Sequence, residues 1–560
     1  MNAGVRHRGL VLAVILIGYL LVLIDVSILM VALPRIHRDL GFSTTGLSWA
    51  QNAYTLTFGG FLLAGARVGD LLGRRRTFII GIGVFALASL AVGAAPSPAW
   101  MVAARAIQGL GAALLAPSTL ALLSTSFPEG PQRTRAMAAY GALAGIGTSL
   151  GLILGGALTQ LASWRLGFFI NLPIGLIAIL AAPRLLEETP PRSGRLELSG
   201  ALTSTLGASA LVYGIVHSSD AGWKNPQTVG ALVLGLGFLG LFVASQRRSP
   251  QPIMPLRLLA DRQRAGAYAA RFVFNGALLS FFFMTQYLQG VHGATPLQAG
   301  ALFLPVTAAA TIAASATSTL AQRISIPLLS VIGCGAILIG TAWISRLSTS
   351  TGYLTGLLAP MIIFGIGQGL GLSTLTTAGL AGVKAADAGA AGGLVNVFHH
   401  IGGALGLGIL VTIFAAAGTG THGHALLADR VSAALTGASA LLAFALLITL
   451  ITYPRHRRAG TTHAIHTPKP HRSHQPADPD TAVLAESCTT HSPTTQEQSW
   501  RSPARASTPP KASPTGSPAT STSTRSLPPP TPHRLAAASC TSPPALVPTG
   551  TPTPTVRRST

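Results

Sequence analysis

The sequence predicts an all-α polytopic membrane protein of about fourteen spans, from three observations. Hydrophobic residues make up 49% of the chain and charged residues only 9%. The apolar residues gather in runs long enough to cross a bilayer, and Lys and Arg favour alternate gaps between those runs. A soluble domain carries about 25% charged residues, so most of these 560 residues do not face water.

Apolar runs between polar breaks lie near 10–33, 47–68, 77–95, 100–122, 136–161, 167–183, 198–217, 227–245, 267–290, 298–319, 326–345, 352–374, 388–417 and 431–453. Each is close to the ~20 residues needed to span the hydrocarbon core. The first run follows Arg6 and Arg8. It is too long for a signal-peptide core and ends at Leu33-Pro34, so it reads as a retained first helix. With these spans, and with Arg67 at the end of the second counted in the loop that follows it, 18 Lys and Arg fall on the side of the N-terminus and 6 on the other. The positive-inside rule then places both termini in the cytoplasm, which requires an even number of spans. The expected location is the cytoplasmic (inner) membrane.

The net charge of +23 would suggest a nucleic-acid partner in a soluble protein. Here the basic residues lie in loops and in the tail, which points to the lipid surface and to no nucleic acid. Cys334, Cys488 and Cys540 are too scattered for a metal cluster or a disulfide framework. Residues 454–560 are rich in Pro, Ser, Thr, Arg and His, and are expected to form a disordered cytoplasmic tail.

A short repeat suggests the internal architecture. Gln108-Gly109-Leu110-Gly111 recurs as Gln368-Gly369-Leu370-Gly371, eight spans later. Two duplicated six-helix bundles, 1–190 and 265–453, would give that spacing if a linker at 191–264 held two additional helices.

Asp25 lies inside the first span. A carboxylate at that depth must face a wet cavity, pair with a cation or take up a proton. Arg105 lies inside the fourth span and shares a helix face with Gln108, three residues on. Because Arg keeps its proton, its expected work is to stabilise ionised Asp25 or a polar substrate. Between spans two and three, Gly69, Asp70, Gly73 and Arg74 form a loop with a tight turn, suited to latching two bundles in one state. In span five, Gly147, Gly151, Gly155 and Gly156 offer a groove for close helix packing. The second half has no acid deep in a span, but carries Arg271, Asn275, Gln286, Tyr287, Gln289, Gln368, Asn396 and the pair His399-His400. Of these, Gln286, Tyr287, Gln368, Asn396 and His399, with Gln108, are the candidate lining of a substrate cavity. Neither a phosphate-binding loop, a nucleophile elbow nor a zinc-protease motif is present, which argues against an ATP-driven pump or an enzyme.

Across about residues 10–453 these motifs resemble the major facilitator superfamily, and within it the fourteen-helix drug:proton antiporters of the EmrB/QacA type. Leu23 to Pro34 resembles the first-helix motif, with Asp25 at the acidic position. Asp70 to Arg76 is similar to the superfamily's loop motif, and Arg105 to Ala113 to its fourth-helix motif. Trp164 to Gly175 (WRLGFFINLPIG) resembles a stretch typical of the fourteen-helix group. The resemblance implies a major facilitator fold and proton-coupled efflux of small amphipathic drugs, antibiotics or metabolites by alternating access. It also implies a monomer without a cofactor, with protons as the coupling ion. Ala66 stands where the loop motif has its first Gly, and Leu152 where the fifth-helix motif has Pro. Span ten lacks an acid, which leaves monovalent cations, neutral lipophiles and anionic metabolites open as substrates. Uptake on the same fold, or a membrane sensor without transport, are the alternatives to export.

Overall fold

The computed structural model describes residues 3–191, 197–249, 252, 254–384, 387–418 and 422–452. The tail expected at 454–560 lies outside the described residues. Fourteen long helical segments follow one another: α1 (Ala3–Leu40), α2 (Trp49–Leu72), α3 (Arg74–Gly93), α4 (Pro98–Ser126), α5 (Pro131–Leu161), α6 (Trp164–Leu185) and α7 (Leu198–Ala221). They continue with α8 (Pro226–Arg248), α9 (Arg262–Gly290), α10 (Pro296–Leu320), α11 (Ile326–Ile344), α12 (Tyr353–Leu380), α13 (Ala388–Ala416) and α14 (Gly423–Thr452). Strands are absent among the described residues.

Thirteen of these are long and apolar enough to cross a membrane. The exception is α2, which is of similar length, at 24 residues, but carries Gln51, Asn52, Thr55, Arg67 and Asp70. Its polar groups turn toward protein rather than lipid. Gln51, Asn52 and Thr55 are buried, and Thr57 donates to the Ala106 carbonyl of α4 at 2.9 Å.

Local sequence sets the helix ends. Ser97-Pro98, Asn225-Pro226 and Thr295-Pro296 each place a capping side chain before a proline at the first helical position. Thr295 and Gln298 complete a reciprocal capping box. The first helix runs beyond the expected end at Leu33-Pro34, carrying Pro34 within it and closing at Leu40. Apolarity stops at the first charged residue, whereas backbone hydrogen bonding continues through Arg35, His37 and Arg38. Short irregularities divide α6 at Ile170, α9 at Leu279-Ser280 and α10 at Phe303.

Glycines set the closest helix contacts, and they do so twice in the same pattern. On α4, a Cβ at Gly109 would lie 2.5 Å from the Tyr54 carbonyl oxygen of α2, and one at Gly111 would lie 2.6 Å from the Phe85 nitrogen of α3. On α12, Gly369 is seated against the backbone of Ala310 and Ala314 on α10. A Cβ at Gly333 of α11 would lie 2.6 Å from the Gly371 nitrogen. Each copy of Gln-Gly-Leu-Gly thus beds one helix into two neighbours at backbone distance. Between these two sets, α7 packs against α2 and α13, with Thr412 donating to the Ile215 carbonyl at 2.9 Å. The following helix, α8, packs on α7 and exposes Val233, Leu234 and Leu236.

Candidate functional site

The centre of the first half is a closed polar cluster around Asp25. On one side of α1, Ile24, Ser27 and Ile28 lie against the glycine stripe of α5. A Cβ at Gly151 would fall 2.7 Å from Ser27 Cβ and 3.0 Å from Ile24 Cα, and one at Gly155 would fall 2.7 Å from Ile28 Cα. The two backbones touch with nothing between them, which fixes the depth and rotation of α1. Gly147 continues the stripe against Leu20 and Leu23, and Gly156 turns to α10, facing Pro296 and Leu297.

From α1, Asp25 reaches side chains on two other helices. Arg105 of α4 donates from Nη1 to Asp25 Oδ2 at 2.5 Å, and Gln108 Nε2 donates to Oδ1 at 2.7 Å. Asn171 of α6 adds a longer contact to Oδ1 at 3.4 Å. Arg105 Nη1 also donates to Gln108 Oε1 at 2.8 Å, its Nε donates to the Ala50 carbonyl of α2 at 2.9 Å, and its guanidinium lies 4.3 Å above the Tyr54 ring. Asp25, Arg105, Gln108 and Asn171 are all 0% exposed. Every hydrogen-bond partner of the carboxylate is a donor, so both of its oxygens are satisfied by the protein. Isolated burial of either charge would cost several kcal/mol, so the pair holds only as a pair.

The second half builds something different at the matching place. Aligned on Gln-Gly-Leu-Gly, Arg105 corresponds to Gly365. A Cβ at Gly365 would lie 2.5 Å from the Val306 carbonyl oxygen of α10, so no side chain fits there. The adjacent Phe364 packs on Phe281 of α9 at 4.2 Å between ring centroids, and Phe281 packs in turn on Phe303 at 5.4 Å. An aromatic cluster therefore lies beside the position that corresponds to Arg105.

The remaining cavity candidates are spread out. Gln286 is half-buried and bonds its own helix at the Phe282 carbonyl, 3.4 Å away. Tyr287 is fully buried and donates to the Ser348 carbonyl at 2.6 Å, tying α9 to the α11–α12 connection. Gln368 is half-buried on α12, and Asn396 is exposed on α13, donating to the Gly392 carbonyl of its own turn. The backbone carbonyl of His399 accepts from Asn275 at 2.6 Å, and its ring meets that of His400 edge-on at 5.0 Å. His400 in turn lies 4.3 Å from Phe58 of α2, in the space left by Gly59. Gln289 spans to the first half, donating to the Val31 carbonyl at 2.9 Å.

The loop between α2 and α3 closes on its own half. Asp70 and Arg74 form an ion pair, and Arg74 Nη1 donates to the Ala66 carbonyl at 3.1 Å beneath Gly69. Gly73 adopts φ +96°, a conformation that disfavours any side chain. The carboxylate of Glu188, after α6, accepts the Arg75 and Arg76 amides at 3.0 and 3.1 Å. This caps the N-terminus of α3. Among the described residues, the hydrogen bonds of Asp70, Arg74, Arg75 and Arg76 run to residues 66–76 and 183–189, so the loop expected to latch two bundles joins α2, α3 and the end of α6 there.

Sequence reasoning left out Asn171, Tyr54, Ser89 and Glu188. Asn171 is positioned by the Trp164–Gly175 stretch: Trp164 Nε1 donates to Asp39 at 2.8 Å, and Arg165 Nη1 donates to the Gly93 and Ala95 carbonyls, each at 2.8 Å. Ser89 then accepts from Asn171 at 2.9 Å and donates to the Phe168 carbonyl at 2.9 Å. A polar Asn within an apolar run was the available signal.

Known proteins place the chain in a family. The Major Facilitator Superfamily model matches residues 15–407. The puromycin resistance protein pur8 of Streptomyces alboniger is 39% identical over 456 residues, covering 80% of this chain and 90% of its own length. The cephamycin export protein CmcT of Amycolatopsis lactamdurans is 37% identical, covering 78% and 90%. The multidrug resistance protein Stp of Mycobacterium tuberculosis (strain CDC 1551 / Oshkosh) is 35% identical, covering 71% and 74%. Among solved structures, the nucleoside transporter NupG superposes with a TM-score of 0.56 at 13% identity, covering 80% of this chain and 99% of that one. A bacterial homolog to the human lysosomal transporter Spinster gives 0.54 at 17%, covering 80% and 95%. These two share the fold. With its paired glycine-bedded helices, its buried Asp25–Arg105 centre and these relatives, the chain is a multi-pass membrane transporter that belongs to the Major Facilitator Superfamily.

Proposed function

We propose that this protein exports small amphipathic molecules across the cytoplasmic membrane in exchange for protons, by alternating access. The carrying observation is Asp25, fully buried and surrounded by the donors Arg105, Gln108 and Asn171, while Gly365, the counterpart of Arg105 in the second half, leaves no room for a side chain. In this reading Asp25 is the proton carrier. Ionised, it holds α1 to α4 through Arg105 and Gln108. Protonated, it loses the charge-assisted part of that attraction and becomes a donor itself. Arg105 stays charged throughout and sets how readily Asp25 takes the proton. Coupling then belongs to the first half alone, with α1 seated on the glycine stripe of α5 as the moving contact. The cytoplasmic placement of both termini rests on the basic loops, and one chain holds the whole centre, which supports a monomeric unit.

Export is favoured over uptake by the relatives, whose names describe resistance to, or export of, antibiotics. The direction is tested in everted membrane vesicles with an acidified lumen. Adding a drug to which the protein confers resistance is expected to alkalinise the lumen, as protons leave in exchange for drug. Further acidification, or no change while the drug enters, contradicts proton-coupled export.

A further inference from the structure

A second cation is buried in the half that has no acid deep in a span. Arg271 of α9 is 7% exposed, and the ion pairs among the described residues do not include it. Its hydrogen bonds both leave from Nη1, to the Leu372 carbonyl and the Thr376 hydroxyl of α12, each at 2.7 Å. Nε is buried without a partner. Among the described residues the guanidinium is therefore held by one corner, and its Nε–Nη2 edge, a side that binds oxyanions with two parallel bonds, has no hydrogen-bond partner. One turn along, Asn275 clamps α9 to the His399 carbonyl of α13 at 2.6 Å. His399 Nδ1 is a second buried nitrogen without a partner. Close backbone contacts at Gly402 and Gly406 keep the two helices together, and His400 carries the cluster to Phe58 and Gly59 of α2.

A charge kept unpaired in a membrane span is costly, and retained ones mark sites of function. Arg105 is neutralised at 2.5 Å by Asp25, whereas Arg271 has neutral partners only. We infer that Arg271, with His399 on the facing helix α13, forms a subsite for one anionic oxyacid group, a carboxylate or phosphate, on the transported amphipathic molecule. The inference rests on the export reading and narrows its substrate class to solutes with an apolar body and a single anionic group. An anionic lipid headgroup offers the same chemistry, so the test separates the two sources.

The probes are dansylglycine and dansylglycinamide, which differ in a carboxylate. Binding to the purified full-length chain is read by dansyl fluorescence, first in neutral detergent and then in zwitterionic vesicles with and without phosphatidylglycerol. The expected result is at least about tenfold tighter binding of the acid, equivalent to about 1.4 kcal/mol. Arg271→Gln should bring the ratio to about one and Arg271→Lys should keep part of it, as expected for loss of the bidentate edge with retention of the charge. Equal binding of the two probes to the unaltered protein, or binding of neither, overturns the inference without recourse to a variant. It is also overturned if phosphatidylglycerol displaces dansylglycine in an Arg271-dependent way, because the anion is then a headgroup. None of these outcomes bears on the direction of pH change that tests export.

Discussion

Replacing Arg105 by Met is expected to destabilise the protein by about 3–5 kcal/mol, the usual cost of removing one partner of a buried ion pair. Asp25 would keep Gln108 and Asn171 as donors but lose the 2.5 Å charge-assisted bond, in surroundings with no solvent access. The Ala50 carbonyl would lose its donor as well. Met is close enough in volume to keep its place over Tyr54, so the loss reports charge rather than a cavity. The measurement is unfolding of the purified protein in detergent, for Arg105→Met, Asp25→Asn and the double variant. If the pair is the cause, the double variant recovers at least half of the Arg105→Met loss. Additive losses would mean that the two residues act independently.

The second large effect concerns the glycine stripe. Gly151→Leu is expected to lower export by about tenfold or more, since displacing a reacting group by about 1 Å can cost about a hundredfold. The new side chain would meet Ile24 Cα, the Ile24 carbonyl oxygen and Ser27 Cβ, at 2.7–3.1 Å from its first atom alone. Backbone cannot rotate away as a flexible side chain would, so α1 must shift, and Asp25 shifts with it. The fold should survive, because overpacking costs about 1–3 kcal/mol. Efflux rate per folded protein is the readout, with Gly151→Ala as the milder step. Unchanged flux in the Leu variant would show that α1 does not depend on this contact.

Much of the site was present in the local pattern. Asp25 inside one apolar run and Arg105 with Gln108 on one face of another already specify a buried pair, because neither charge tolerates lipid alone. The small residues at 147, 151 and 155 could be read as a packing face for the same reason. What escaped were partners defined by distance along the chain. Glu188 caps α3 from 112 residues away from Arg76, and an acid in a connecting segment looks like an ordinary solvated charge. Asn171 lies two residues before Pro173, where Asn more often caps a helix than enters a buried network. The second helix fell short of the apolarity of the others because it is shielded by its neighbours, so its Gln51, Asn52 and Thr55 did not have to avoid water or lipid. The loop at Asp70 to Arg76 was recognisable as a tight basic turn, but the segment that receives it was not.

The central claim is that Asp25 carries the proton exchanged for substrate. Drug-dependent proton release from everted vesicles tests it most directly, comparing the unaltered protein with Asp25→Asn at equal amounts of folded protein. Asn keeps the shape and an acceptor oxygen toward Gln108 but cannot exchange a proton. The account predicts that proton release falls to the background of vesicles without the protein, while drug still binds. Full drug-dependent release from the Asp25→Asn protein would contradict it.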